Sequence, residues 1–246
     1  MAEERSSCRL GKIRRYCTAL TRYRKSKGFG IHSPFAFHFV LNVLREKSAY
    51  YAYADIAERR NEARRMKRLL KVRKPRMISE KSARMMFRIA NYFNPKMILQ
   101  LGANFGVSAY STLRVSSDSR MWLASSQAEP EIALVLLQNQ ADRISVSGSC
   151  GESVDDYIAA VGDGKRYVVV NRVTEAEAVS VERWLVSLAE TEAVVVVRNL
   201  QHDEVVARLW RALLSRLTYG MAFTNGKMGV AVIEKKLPRQ TFSLWF

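Results

Sequence analysis

The chain has 246 residues, 48% of them hydrophobic, and a net charge of +17, which excludes a disordered polyelectrolyte and suits one large domain, or one domain with an extension. Three cysteines at unrelated spacings, Cys8, Cys17 and Cys150, exclude a disulfide framework and a zinc-ligand pattern. No apolar run nears the roughly 18 residues that span a bilayer and the first residues lack an apolar leader core, so a cytoplasmic location is expected.

The charge is unevenly spread. Residues 1 to 88 hold 24 Lys and Arg against 7 Asp and Glu, and the rest of the chain holds 16 of each. An excess confined to the first third implies either a solvated basic face or a surface for phosphate, acidic lipid or an acidic partner. Residues 9–26 read as a basic amphipathic helix, with Leu10, Ile13, Cys17 and Leu20 on one stripe. Such a stripe packs on its own domain or lies on an anionic membrane. Gly28 and Gly30 break that helix. Ser33 then serves as N-cap and Pro34 as first residue of a second helix, with Phe35, Phe39, Val40 and Val43 on its buried side. His32 and His38 have no third ligand in view, so core or capping roles are expected of them. Residues 51–76 form an arginine-rich helix that Pro75 ends, with a thin apolar stripe of Ile56, Ala63, Met66 and Leu70. Its cations make the best candidate for an anion-facing surface, with few aromatics for base stacking.

The texture changes at Ser79, a candidate N-cap, which divides a basic helical extension (1–78) from an α/β domain (79–246). Strands are expected at 97–101, 121–124, 144–146, 167–170 and 193–197. Helices are expected at 106–114, 130–140, 152–161, 174–190 and 203–217. Valine-rich runs alternating with helices imply a parallel sheet covered on both faces. Two last strands, 221–224 and 229–234, flank Asn225-Gly226, a strong hairpin signal.

The segment "QLGANFG" (100–106) follows a strand and opens a helix. Gly102 permits a tight turn and close backbone approach, and Gly106 lets the helix start nearby; ligands in open α/β sheets bind at this edge. Together with the alternating elements and the terminal hairpin, "FRIANYFNPKMILQLGANFGVSAYSTL", "SQAEPEIALVLLQN" and "GVAVIEKKLPRQTFSLWF" resemble class I S-adenosylmethionine-dependent methyltransferases, in the O-methyltransferase-like branch of small bacterial proteins, from about Tyr50 to Phe246. The resemblance implies a Rossmann-like, mostly parallel seven-stranded sheet of order 3-2-1-4-5-7-6. It implies S-adenosylmethionine as cofactor and an unknown methyl acceptor. Gln100, Gly102, Ala103 and Gly106 would line the methionine part, Gln127 the ribose, and Gly148 and Ser149 the adenine. Asn171 and Asn199 would face the methyl group.

The chain departs from that pattern. Gln100 and Gln127 stand where the family carries acids, and losing charge assistance weakens each contact by about 1 kcal/mol. Glu129 and Glu131 supply charge at that strand end if the register falls two residues later. Asn171, Arg198 and Asn199 stand where metal-using members carry aspartates, so no metal is expected. Cys150 is either a reactive thiol or a small buried residue. His202 is either a general base or a cap for the helix beginning at Asp203. Three functions are therefore open: methyl transfer with weak cofactor binding, a degenerate methyltransferase fold serving as a binding or assembly protein, or an anion-binding module for nucleic acid or lipid carried on the basic N-terminal third. Expected partners are the methyl acceptor, nucleic acid or an anionic membrane surface meeting residues 9–76, and a second copy of the chain.

Overall fold

The computed structural model describes residues 31–125 and 131–246. The basic helix expected at 9–26, with Cys8 and Cys17, lies outside them, as does Gln127. The helices are α1 (Pro34–Phe39), α2 (Ala52–Leu69), α3 (Glu80–Phe93), α4 (Val107–Leu113), α5 (Ile132–Leu136), α6 (Cys150–Val161), α7 (Glu175–Ser187) and α8 (Glu204–Arg216). The strands are β1 (Met97–Leu101), β2 (Arg120–Ala124), β3 (Ile144–Ser147), β4 (Arg166–Val170), β5 (Ala193–Arg198), β6 (Met221–Thr224), β7 (Met228–Ile233) and β8 (Gln240–Ser243).

The strands form one sheet in the order β3-β2-β1-β4-β5-β7-β6-β8. The first five run parallel, β7 is antiparallel to both β5 and β6, and β8 adds parallel to β6. The expected Rossmann-like order is present with an eighth strand at its edge. A strand's side chains alternate between faces, and β5 shows why its valine run suits the middle of a sheet. Val194 and Val196 enter the apolar layer beneath α2 to α5, while Ala193, Val195 and Val197 enter the layer beneath α6 to α8. Each buried face excludes water, so every position tolerates a β-branched aliphatic.

Local chemistry sets the helix ends. Ser33 Oγ accepts the Ala36 N–H at 3.3 Å with Pro34 opening α1, and Ser79 Oγ accepts the Ser82 N–H at 3.2 Å ahead of α3. Phe39, Val40 and Val43 are buried as expected, and Phe35 is half-buried. Arg88 of α3 fastens the N-terminal segment. It donates to the carbonyls of Val43 (2.6 Å) and Leu44 (3.1 Å), which end a π-helical turn after α1, and to the Tyr53 hydroxyl at 2.9 Å.

Two expectations are corrected. The arginine-rich helix stops at Leu69, well before Pro75. The Lys71 N–H donates to Arg68 O at 3.1 Å and the Val72 N–H to Lys67 O at 3.0 Å, the paired bonds of a Schellman cap. Lys71 occupies its left-handed position at φ 52°. Leu70 consequently leaves the apolar stripe and is 61% exposed. The helix expected at 130–140 is only α5, followed by a 3-10 segment at Gln138–Arg143.

Candidate functional site

The carboxyl ends of the strands carry two very different regions. Over β1, β2 and β3 the described residues pack closely on one another. Gly102 turns at φ 88° and donates to Ala124 O at 3.1 Å. A Cβ on Gly102 would stand 2.8 Å from Arg172 N and 2.9 Å from Arg172 O, so the segment after β4 lies directly on the glycine turn. Glu177 of α7 bridges to α6: its Oε1 accepts the Cys150 N–H at 2.6 Å, and its Oε2 accepts the Thr174 hydroxyl at 2.6 Å. Burial raises the Glu177 carboxyl, but these hydrogen bonds outweigh it and hold the group below its ordinary value of 4.5. Gly102, Ala124, Cys150 and Arg172 enclose about 10 Å³, room for about one water molecule.

The expected site residues take these places. Gln100 is fully buried; its Nε2 donates to Gly102 O at 3.2 Å, and its Oε1 has no hydrogen-bond partner among the described residues. Ala103 is buried, and Gly106 packs so closely on α5 that a Cβ would lie 3.0 Å from Ala133 O. Gly148 is exposed, and Ser149 caps α6 by accepting the Glu152 N–H at 3.2 Å. Cys150 is buried in the apolar layer beneath α6 to α8. Asn171 is buried at the centre of a network. Its Nδ2 donates to Gly102 O and to Ser108 Oγ, each at 2.9 Å, and its Oδ1 accepts from Arg198 Nη1 at 2.8 Å. Asn199, at φ 65°, donates to Asn171 O at 3.0 Å. Phe105 and Arg198 are both buried, and no open volume remains between them. The amides thus join β1, β4 and β5 to one another.

The second region opens beside β5 and β7 as a cleft of about 570 Å³, within the range of small-molecule sites. Arg60 and Lys67 of α2, Arg76, and Lys81 of α3 line one side; Arg198, His202 and Lys227 line the other, with Trp245 at the rim. Among the described residues no Asp or Glu lines it. Lys67 Nζ sits 5.0 Å from the centre of the Phe105 ring, and Trp245 is 56% exposed. Arg76 Nη1 donates to His202 Nε2 at 2.8 Å, since a guanidinium only donates. The N-cap of α8 is Asp203, whose Oδ1 accepts the Val206 N–H at 3.1 Å. His202 is therefore an exposed cleft residue whose Nε2 is engaged by a neighbouring cation.

Arg198 stands out within this cleft. It is 4% exposed, and its Nη1 donates to Asn171 Oδ1. Burial alone lowers its guanidinium to about 10, and no carboxylate of the described residues forms an ion pair with it. The sequence marked Arg198 only as a departure from an acidic motif. Lys81, Lys227 and Trp245 carried no local signal, because the cleft assembles from segments far apart in the chain. Among the described residues no three His, Cys, Asp or Glu side chains converge on a metal-sized site, and no helix is long and apolar enough to cross a membrane.

No protein-family model matches the chain, and no curated protein matches it in sequence. Solved structures do match. An O-methyltransferase from Bacillus cereus in complex with SAH aligns at a TM-score of 0.56 and 14% identity, over 80% of this chain and 96% of that one. The O-methyltransferase TomG from Streptomyces achromogenes, in complex with SAM, aligns at 0.53 and 16%, over 80% and 96%. Cofactor-bound Rv0187 from MTB aligns at 0.53 and 18%, over 84% and 97%. The chain has the Rossmann-like fold of these structures, two of which are O-methyltransferases.

Proposed function

We propose that this protein is a degenerate methyltransferase fold that works by binding an anionic ligand, a phosphate- or carboxylate-bearing molecule, in the cleft over Arg198. The observation that carries the reading is a buried guanidinium that, among the described residues, has no Asp or Glu partner, at the floor of a cleft lined by five further Lys and Arg and no Asp or Glu side chain. Burying a lone charge costs several kcal/mol, and an oxyanion accepting hydrogen bonds from the guanidinium offsets that cost. Arginine suits planar, bidentate oxyanions, and the surrounding lysines add charge without fixed geometry. Trp245 offers a flat apolar face to any ring the ligand carries.

Among the described residues, the space beside the glycine turn is about 10 Å³, against roughly 300 Å³ or more for ligand pockets, so a nucleoside-sized cofactor there requires the segment at Arg172 to move. The amides at Gln100 and Asn171 serve the reading of lost chemistry, holding strands together where the family places acids. Calorimetric titration with pyrophosphate tests the proposal. Saturable binding that weakens about thirtyfold in Arg198→Met is expected. Absence of binding, or equal binding by the variant, contradicts it.

Methyl transfer is the second reading, favoured by the fold and by one atom. Gln100 Oε1 is buried without a partner among the described residues, and an amino group of S-adenosylmethionine would satisfy it. Gln100, Gly102, Ala103, Gly106, Gln127, Gly148 and Ser149 would then hold the cofactor once the segment at Arg172 withdrew. Asn171 and His202 would flank an acceptor in the basic cleft. A rise in melting temperature with S-adenosylhomocysteine, lost in Gln100→Leu, would establish this reading over the first.

A further inference from the structure

We infer that the C-terminal tip of α2 docks this protein onto an anionic lipid bilayer. Leu69 and Leu70 are 80% and 61% exposed, adjacent, and at the end of a helix. Eight Lys and Arg lie between Ala63 and Ser79 with no Asp or Glu among them. Arg64, Arg65 and Arg68 precede the leucines and Lys71, Arg73 and Lys74 follow them; all six are exposed. Two bulky aliphatics ringed by cations match a bilayer's two layers, with acyl chains to receive the leucines and lipid phosphates to meet the cations.

The tip is built to hold this arrangement. The Schellman bonds at Lys71 and Val72 stop the helix directly after the leucines. Lys67 Nζ donates to the carbonyls of Arg73 at 3.2 Å and Pro75 at 3.3 Å, folding the next segment back along α2. The leucine pair is thus left at the apex, beside a basic groove of about 550 Å³ that includes Arg64, Arg68 and Lys71. A lipid phosphate is the ligand of matching charge for that groove. Nucleic acid is the weaker match: no aromatic side chain lies between Arg64 and Ile78 for base stacking, and phosphates offer exposed leucines nothing. Each cation near an anionic membrane strengthens binding about fivefold, so several acting together suffice for reversible attachment.

Co-sedimentation with vesicles tests this. The full chain is expected to pellet with equimolar phosphatidylcholine and phosphatidylglycerol, to stay in solution with phosphatidylcholine alone, and to be released by salt. Leu69→Ser with Leu70→Ser keeps the charge and touches only exposed positions, so the fold persists; anionic-vesicle binding should fall about tenfold or more. A Leu70→Trp variant should show a blue-shifted emission with anionic vesicles only. Arg198→Met should bind vesicles like the parent, which keeps this inference separate from the anion cleft. Failure to pellet, equal binding to neutral vesicles, or binding unaffected by the serine pair overturns it. A single-stranded RNA bound equally by the parent and the serine pair, without vesicle binding, assigns the surface to nucleic acid instead.

Discussion

At the carboxyl edge of the sheet, the described residues over β1 to β3 pack on one another with Arg172 and Glu177 among them, whereas the half over β5 and β7 is cationic and open. Both sit where open α/β sheets ordinarily bind ligands, so the fold alone does not distinguish them. The side chains do. In the filled half, amides and one carboxylate hydrogen-bond to the protein's own backbone: Asn171 to Gly102 O, Gln100 to Gly102 O, and Glu177 to the Cys150 N–H. In the open half, no Asp or Glu of the described residues pairs with Arg198 or lines the cleft. In the first half Gln100 Oε1 is buried without a partner among the described residues, whereas in the second a whole guanidinium charge is left without an Asp or Glu partner, a costlier burial.

The sharpest way to break this contrast is at Gly102. Gly102→Ala forces a Cβ to within 2.8 Å of the Arg172 backbone at a φ of 88°, and should cost about 3 kcal/mol in denaturant unfolding. If the variant is as stable as the parent, the crevice is not closed as described. Next, Arg198→Met should lose about thirtyfold in pyrophosphate affinity while its melting temperature holds or rises, because it removes a buried charge that no carboxylate balances. A variant that both unfolds and binds normally would reverse the assignment. Glu177 sharpens the closed half. Its carboxyl lies lower in the folded state than its ordinary value of 4.5, so the bridge to Cys150 contributes stability that is intact above that value. That stability is lost as pH falls through the lowered folded-state value. Glu177→Gln should therefore lessen the acid dependence of the melting temperature; an unchanged acid profile would show that the bridge contributes nothing. The smallest effect is at the tip of α2, where Lys71→Gly relieves a left-handed lysine and should stabilise the fold by about 1 kcal/mol.

Much of the architecture was legible from local pattern. The strands of "MILQL", "RYVVV" and "AVVVV" follow from β-branched and aliphatic runs bounded by helices. The hairpin follows from Asn225-Gly226, where Gly226 takes φ 84°. The caps at Ser33 and Ser79 were visible because hydroxyls before helices have one strong use. The end of α2 was not, since a Schellman cap ordinarily announces itself with glycine and here carries Lys71. Strand β8 was missed because "QTFS" is short and half polar, and β6 recruits it through backbone bonds that no side-chain pattern encodes. The site was legible only in part. Gly102 could be placed at a turn, but whether that turn faced a ligand or Arg172 depended on how the segment after β4 packs. The basic cleft joins residues from Arg60 to Phe246, a juxtaposition that appears only once the sheet is built.

The most direct test is a pair of titrations followed by backbone amide NMR on the same sample. Pyrophosphate should shift the amides of Asn199 and Lys227 and the Arg198 side-chain N–H, and leave Gly102 and Cys150 unmoved, while S-adenosylhomocysteine shifts neither set. Saturable movement of Gly102 and Cys150 with S-adenosylhomocysteine, with no response around Arg198 to pyrophosphate, would contradict the account.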